Sequence, residues 1–449
     1  MGRSLRIGVI GSGISGLSAA WLLSRQHDVT LFEAEPRAGG HSNTVDAPGK
    51  SGNVAVDTGF IVYNVASYPN LIALFNHLHV PTAQTNMSFA VSLDNGGYEY
   101  AGSGLSTVFG QRSNLFSPSH WRMLADTLRF FRDAPALASA SADESQSLGC
   151  YLAEQRYSDA FIERHILPMA AAIWSTPSNA VLSFPVAAFV RFFSNHGLLQ
   201  LTDRPQWRTV IGGSREYVRR LIGDFKGEVR LADPVRSVQR AADRVTIATA
   251  NRSETFDACV LATHAHDTLS LLADADAQER GTLAAFRYAR NAAILHSDPA
   301  HMPRRRRLWS SWNYLGNGRG AHAGLSVSYW MNSLQPLGQN SPELFVTLNP
   351  SKPIASAATI AAFDYAHPIF DAAAMAAQRR LWDLQGRRST WFCGSYFGYG
   401  FHEDGLQSGL AVAEDIGGVR RPWSVPDESS RIHLTSAHDA YAAVREAAQ

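Results

Sequence analysis

Three short stretches hold residues whose types and spacing could do chemistry. Gly11-Ser12-Gly13-Ile14-Ser15-Gly16 has the G-x-G-x-x-G spacing, and Glu33 follows about 20 residues on. That pairing suits a bound dinucleotide. Gly11 permits a tight turn, Gly13 lets the backbone approach a pyrophosphate, Gly16 lets a helix pack closely, and Glu33 accepts from the hydroxyls of the adenine ribose. The second stretch, Glu33-Ala34-Glu35-Pro36-Arg37-Ala38-Gly39-Gly40-His41, is another glycine turn directly after the acid. The third runs from Trp391 through Tyr399, Phe401 and His402 to Asp404-Gly405-Leu406. It joins aromatics and glycines to an imidazole, the group matched to proton transfer near neutral pH.

These residues need elements to hold them. Leu5 to Ile10 is an apolar run that reads as a strand, and the residues from Ile14 read as a helix whose N-terminal amides face the phosphates. A second strand ends at Glu33. Gly39-Gly40 is either an ordinary turn or the second close backbone approach that an extended flavin dinucleotide needs and a nicotinamide site does not. Residues 391–416 read as a buried strand, an aromatic glycine loop and a helix whose start is marked by Asp404 and Gly405. Such a helix N-terminus suits the negative charge that a reduced flavin places on its ring. The expected cofactor contacts are Gly11, Ser12, Gly13, Ile14, Ser15, Gly16, Glu33, Ala34, Gly39, Gly40, His41, Thr44, Val235, Thr263, Asp404, Gly405 and Leu406. His402 is either a flavin-facing general base or a hydrogen-bonded structural histidine, and Tyr399 either lines the pocket or fills the core. Cys393, beside Trp391 and Phe392, reads as a small buried apolar residue, which makes the flavin noncovalent. No metal site is expected.

The strand and helix order implies an α/β fold with a parallel sheet, in a chain long enough for two joined domains. Residues 1–75, 208–265 and 388–420 form the expected dinucleotide domain, and 76–207 with 266–387 form the substrate domain. A helical cap is expected near 117–205, and 421–449 is a tail without pattern. Gly212-Gly213-Ser214 reads as a turn and N-cap before a helix from Arg215 to Phe225. Leu308 to Tyr314 and Gly324 to Met331 read as strands of an antiparallel sheet. Gly316, Gly318 and Gly320 have the wrong spacing for a second nucleotide turn, so the electrons are expected to come from the organic substrate.

The chain has 449 residues and a formal net charge of +1, which argues against a nucleic-acid partner. Three scattered cysteines, Cys150, Cys259 and Cys393, build neither a disulfide framework nor a zinc site, and a reducing cytoplasm fits. The first strand begins within five residues of Met1, and no long uncharged apolar run occurs. Val181 to Leu201 carries Phe184, Phe189, Phe192 and Phe193, more apolar surface than one helix face requires. His120-Trp121-Arg122 and Phe130-Phe131-Arg132 join aromatics to arginines, the mix of a helix resting on an anionic membrane surface. An acyl chain drawn through the cap is the expectation that follows.

The two glycine turns, Glu33, the Gly212-Gly213 turn and the Asp404-Gly405-Leu406 helix together resemble the FAD-dependent amine oxidase and phytoene desaturase superfamily. GHSNTV, DTGFIVYN, YPNL, SWNYL, SYWMN and GYGFHEDGL are similar to a bacterial branch of amine-oxidase-like proteins, and to the flavin domain of plant cyclopropane fatty acid synthases. The likeness covers residues 5 to about 416. It implies noncovalent FAD in a Rossmann-type domain interleaved with a substrate domain of antiparallel sheet plus cap. It also implies an oxidoreductase that dehydrogenates an acyl chain of a modified membrane fatty acid, linked to a lipid methyltransferase, cytoplasmic and peripheral on the inner membrane surface. Two other readings stand beside it: oxidation of a small amine, and a flavin-bound accessory to a methyltransferase without turnover. Amine oxidases of this superfamily usually place a lysine beside the flavin, and of Lys50, Lys226 and Lys352 only Lys352 is a candidate.

Overall fold

The strands that carry the dinucleotide turns are short, apolar and buried on both faces, as parallel strands must be when helices cover them. In the computed structural model, which describes residues 3–50, 52–138, 146–174, 178–241, 243–316, 326–339 and 341–434, they form a five-stranded sheet. Its spatial order is Glu228–Arg230, Asp28–Phe32, Arg6–Ile10, Ala258–Leu261, Thr390–Phe392, with every pair parallel. Arg6–Ile10 lies at the centre, and Ile7 and Val9 are fully buried. The five strands come from widely separated parts of the chain, so the dinucleotide unit is assembled across long insertions.

The helix Ile14–Leu23 is buried along its whole length between this sheet and the C-terminal helix His402–Ile416. Its closeness to the turn explains Gly16, where a Cβ would stand 1.9 Å from the Gly11 carbonyl oxygen. Gly11 has φ +101°, open to glycine at little cost. The Arg215–Asp224 helix begins where expected, but Ser214 does not cap it with its side chain; the hydroxyl donates to Asp57 instead.

The second sheet has seven strands in the order Thr359–Ile369, Arg287–His296, Phe345–Leu348, Ser326–Trp330, Trp312–Gly316, Phe89–Leu93, Tyr98–Ala101. It is antiparallel except between Trp312–Gly316 and Phe89–Leu93, which run parallel. The aromatic strands are therefore part of a mixed sheet. Gly318, Gly320 and Gly324 lie outside the described residues, as does the tail beyond 434.

Helices Pro118–Asp133, Leu167–Trp174 and Val186–Asn195 form the cap. Phe184, Phe189, Phe192 and Phe193 pack around Trp174, and the Phe189 and Phe193 rings stack at 4.2 Å. These phenylalanines are the cap's own core. Val181, Phe184, Phe189, Phe192, Phe193 and Leu199 are buried in it, while Leu201 is 65% exposed.

Candidate functional site

Ser12 joins the two glycine turns. Its backbone N–H donates to Glu33 Oε2 at 2.9 Å, its hydroxyl bonds the same oxygen, and its carbonyl accepts from Gly39 N at 3.0 Å. Glu35 N donates to the other Glu33 oxygen at 2.9 Å. The acid is thus fixed at the end of its strand by two main-chain donors and the Ser12 hydroxyl. Gly40 lies against Gly13, with φ +55°.

No side chain caps the Ile14–Leu23 helix, and a Cβ built on Gly13 meets nothing within 4 Å. The glycine at this position is explained by no contact within the protein. It keeps a space open at a helix N-terminus, where an anion is favoured. Asp233 N donates to Glu33 O at 3.0 Å, so the chain leading into Val235 runs beside Glu33. Thr263 adjoins Gly11, and its hydroxyl bonds Thr268 at 2.8 Å. Ile14 and Ser15, in the first helical turn, and Ala34, after Glu33, take their places by sequence adjacency.

Thr44 is used differently. Its hydroxyl donates to Asp57 Oδ1 at 2.6 Å and accepts from Arg215 N at 3.0 Å. Asp57 also holds Ser214 N, Ser214 Oγ and Gln335 Nε2, which ties the Gly212-Gly213-Ser214 turn to the strand Val54–Asp57. Burial pushes the Asp57 carboxyl up to about 6, against the pull of those donors.

His402 opens the C-terminal helix. Its ring stacks on Phe60 at 3.7 Å, and Nε2 lies 2.9 Å from Ser42 Oγ and 3.2 Å from the Tyr217 hydroxyl. Burial lowers it to about 3, so it is neutral at pH 7. The imidazole clasps the segment after the second glycine turn to the C-terminal helix. Nε2 is already committed to two hydroxyls.

Asp404 caps this helix from inside it. Its carboxylate accepts from Phe401 N at 2.8 Å and Tyr399 N at 3.1 Å, and Arg431 lies 3.3 Å away. The helix therefore begins at His402, two residues before the expected start. With its side chain so committed, Asp404 has only its main chain left to offer a ligand at this helix N-terminus. Gly405 packs on Ile14 of the dinucleotide helix, and Leu406 is fully buried. Tyr399 turns away from His402's partners: Arg191 bonds its hydroxyl, and its ring faces Phe192 of the cap at 6.1 Å.

His41 faces the seven-stranded sheet. Its ring lies 5.0 Å from Tyr365, 5.6 Å from His367 and 6.0 Å from His264, and Nε2 is buried without a partner among the described residues. Burial holds His41 well below its usual value and His367 at about 4, so these two imidazoles sit together uncharged. Asn291 bonds His367 at 2.9 Å, and Asn43 donates to the Tyr365 hydroxyl at 2.9 Å. None of Ser42, Tyr217, Tyr365, His367 or Arg431 was expected. Each lies far in sequence from the residue it touches, and only DTGF and GHSN, flanking the turns, offered a local signal.

Residues 14–323 match the sequence profile of the family described as flavin containing amine oxidoreductase. The chain belongs to that family. Solved structures agree on the fold. A CLA-producing fatty acid isomerase from P. acnes superposes with TM-score 0.64 at 15% identity, over 93% of this chain and 98% of that one. A putrescine oxidase gives 0.66 at 15%, over 92% and 99%. Cyclohexylamine oxidase from Brevibacterium oxydans IH-35A gives 0.63 at 17%, over 92% and 100%.

The flavin amine oxidoreductase reading fits the geometry. The open face of Gly13, the uncapped helix, Glu33 held by Ser12, and the unpartnered His41 Nε2 are features that FAD would complete. When bound, FAD supplies a two-electron acceptor, and the chain is an FAD-dependent oxidoreductase. Cys393 is buried, and burial pushes its thiol far above the usual range. All three lysines are exposed; Lys352 bonds Asn95 at 2.7 Å in the turn after Phe89–Leu93, away from the glycine turns. No helix among the described residues is long and apolar enough to cross a membrane.

Proposed function

We propose that this FAD-dependent oxidoreductase dehydrogenates an acyl chain of a modified (methylated, cyclopropane or furan-type) membrane fatty acid, working peripherally on a membrane surface beside a lipid methyltransferase. The observation that carries the reading is an apolar patch on the outer side of the cap. Leu105, Leu115, Phe116, Trp121 and Leu128 are exposed, Phe116 by 87%. Trp121 Nε1 donates to the Leu115 carbonyl at 3.0 Å, which holds the indole beside Leu115 and Phe116, and Leu128 follows two helical turns on. Arg112 and Arg122 are exposed nearby, and Asp126, between Arg122 and Arg129, is buried. Large apolar side chains beside Arg112, and beside Arg122 paired with Asp126 at 3.5 Å, fit a bilayer surface, at about 1.5–3 kcal/mol for each side chain fully buried.

The lysines support the same reading against a small amine, because none of them stands at the glycine turns. Neutral imidazoles and tyrosine hydroxyls at the sheet suit a substrate without charge at the reacting carbon. Anaerobic photometry tests it: the flavin absorbance of the holoprotein should bleach with a modified fatty-acyl lipid and not with a primary diamine. Bleaching by the amine alone would establish the amine oxidase reading, and bleaching by neither would favour the accessory role. Co-sedimentation with anionic phosphatidylglycerol vesicles should be lost in Trp121→Glu.

A further inference from the structure

The run Thr263-His264-Ala265-His266-Asp267 leaves the parallel sheet after Ala258–Leu261 and opens the short helix Ala265–Leu271. Thr268 N donates to the His264 carbonyl at 2.8 Å, which closes the first turn and sets His264 and Asp267, three residues apart, on one face. There the Asp267 carboxylate lies between two imidazoles. His264 Nδ1 is 3.6 Å from one of its oxygens, and His266 Nε2 is 3.1 Å from the other. One ligand atom from each of the three residues fits within a span of 4.8 Å.

Tyr288, on the neighbouring strand Arg287–His296, braces this arrangement from the side. Its ring lies 4.6 Å from the His264 ring and 4.8 Å from the His266 ring, and its hydroxyl accepts from Ala265 N at 3.0 Å, between the two histidines. The side chains of His264, His266 and Asp267 are 32%, 52% and 52% exposed, so water and ions reach them. Tetrahedral zinc, bound at about 2.0–2.1 Å by nitrogen and oxygen, holds its ligand atoms about 3.3 Å apart. The two measured separations bracket that spacing. Two imidazoles with one carboxylate suit zinc, cobalt or nickel, whereas magnesium and calcium take oxygen ligands.

We propose that His264, His266 and Asp267 form a binding site for a divalent transition metal of the zinc class, with its remaining coordination positions open to water. The convergence of both imidazoles on one exposed carboxylate carries the proposal, because such a contact gains little as an ion pair alone and a shared metal gives all three donors a partner. The site lies at the rim of the cofactor turns, since the His264 ring is 6.0 Å from His41. It stands whether or not the acyl substrate is right, because its readout is metal binding rather than turnover.

Isothermal titration of the tag-free, chelator-treated holoprotein with zinc chloride and with magnesium chloride tests it. Zinc should bind at one site per chain, and magnesium at least about tenfold more weakly. His266→Ala and Asp267→Asn should each weaken zinc about tenfold or more, and the double variant should abolish binding at this site. His79→Asn, which changes an exposed histidine outside the run, should leave zinc affinity within about twofold. FAD content and metal-free melting temperature should match wild type in the His266 and Asp267 variants, whose side chains are exposed, so that a lost site is not a lost fold. No zinc binding, unchanged zinc affinity in the double variant, equal loss in His79→Asn, or magnesium bound as tightly as zinc would overturn the site.

Discussion

Replacing Gly13 with aspartate should separate folding from cofactor binding. Gly13 has φ −63° and ψ 176°, values open to any L-residue, and its Cβ would meet nothing within 4 Å. It sits at the N-cap, where aspartate is favoured over glycine by a few tenths of a kcal/mol. The apoprotein of Gly13→Asp should therefore melt at or slightly above the wild-type apoprotein. The new carboxylate would face the pyrophosphate instead. Two unit charges about 4 Å apart repel by about 4 kcal/mol at an effective dielectric near 20, so FAD affinity should fall about 10³-fold. The protein should purify colourless, and titration of both apoproteins with FAD, followed by flavin fluorescence, gives the ratio of dissociation constants. Comparison must be apo with apo, since bound FAD itself raises the melting temperature. Gly16→Ala is the counterpart: its Cβ would lie 1.9 Å from the Gly11 carbonyl oxygen, so the fold itself should lose about 1–3 kcal/mol. A yellow Gly13→Asp protein of unchanged affinity, or one whose apo form melts well below wild type, would refute the placement of the pyrophosphate.

Other tests follow from the same geometry. His402 is neutral at pH 7 and bonded to Ser42 and Tyr217, so His402→Gln, which can keep a hydrogen bond, should leave flavin reduction within about fivefold; a loss of 10²-fold with FAD retained would restore it as a general base. Acid should destabilise the protein through His165, His196 and His367, which burial lowers to about 4, 3 and 4. Unfolding releases them to about 6.5, so the unfolded state takes up protons first, and stability present above pH 6.5 falls as the pH drops toward 4, by about 1 kcal/mol for each histidine over the first unit. Asp57 works the other way, its raised value of about 6 adding stability at low pH that is lost as pH rises through 6; a flat melting profile from pH 7 to 5.5 would count against this set of burials. Acid precipitation should leave a colourless pellet and a yellow supernatant, because the Cys393 thiol is buried and protonated; a yellow pellet would mean a covalent flavin.

The dinucleotide half of the site was legible because its constraints are local. A turn that needs φ +101° at Gly11 and no Cβ at Gly16 writes glycine into the sequence at fixed spacing, and Glu33 follows one helix and one strand later. The sheet was legible for the same reason, since strands buried on both faces must be continuous apolar runs. The other half is built by residues that meet only in the fold. His402 finds Ser42, 360 positions away, and Asn43 finds Tyr365 across 322. Arg431 closes on Asp404 from a tail that shows no pattern, and Arg421, with a fully buried side chain, pairs with Glu414 and reaches Asn70. A charged side chain taken out of water is costly unless paired. The pairing rather than any spacing therefore determines where that tail runs, and a single sequence carries no trace of it.

The same distinction explains the cap. Val181 to Leu201 reads as a surplus of apolar residues when only one buried face is counted, because periodicity reports how many faces a helix hides and not what hides them. Here the rings of Trp174 and Phe184 pack against Phe189, which is fully buried. The residues that do remain uncovered, Phe116 and Trp121 on the outside, lie in stretches of mixed polarity where the sequence pattern is weakest. Folding conceals apolar groups wherever it can find partners for them. The groups left exposed are consequently better guides to what this oxidoreductase meets than its richest apolar run.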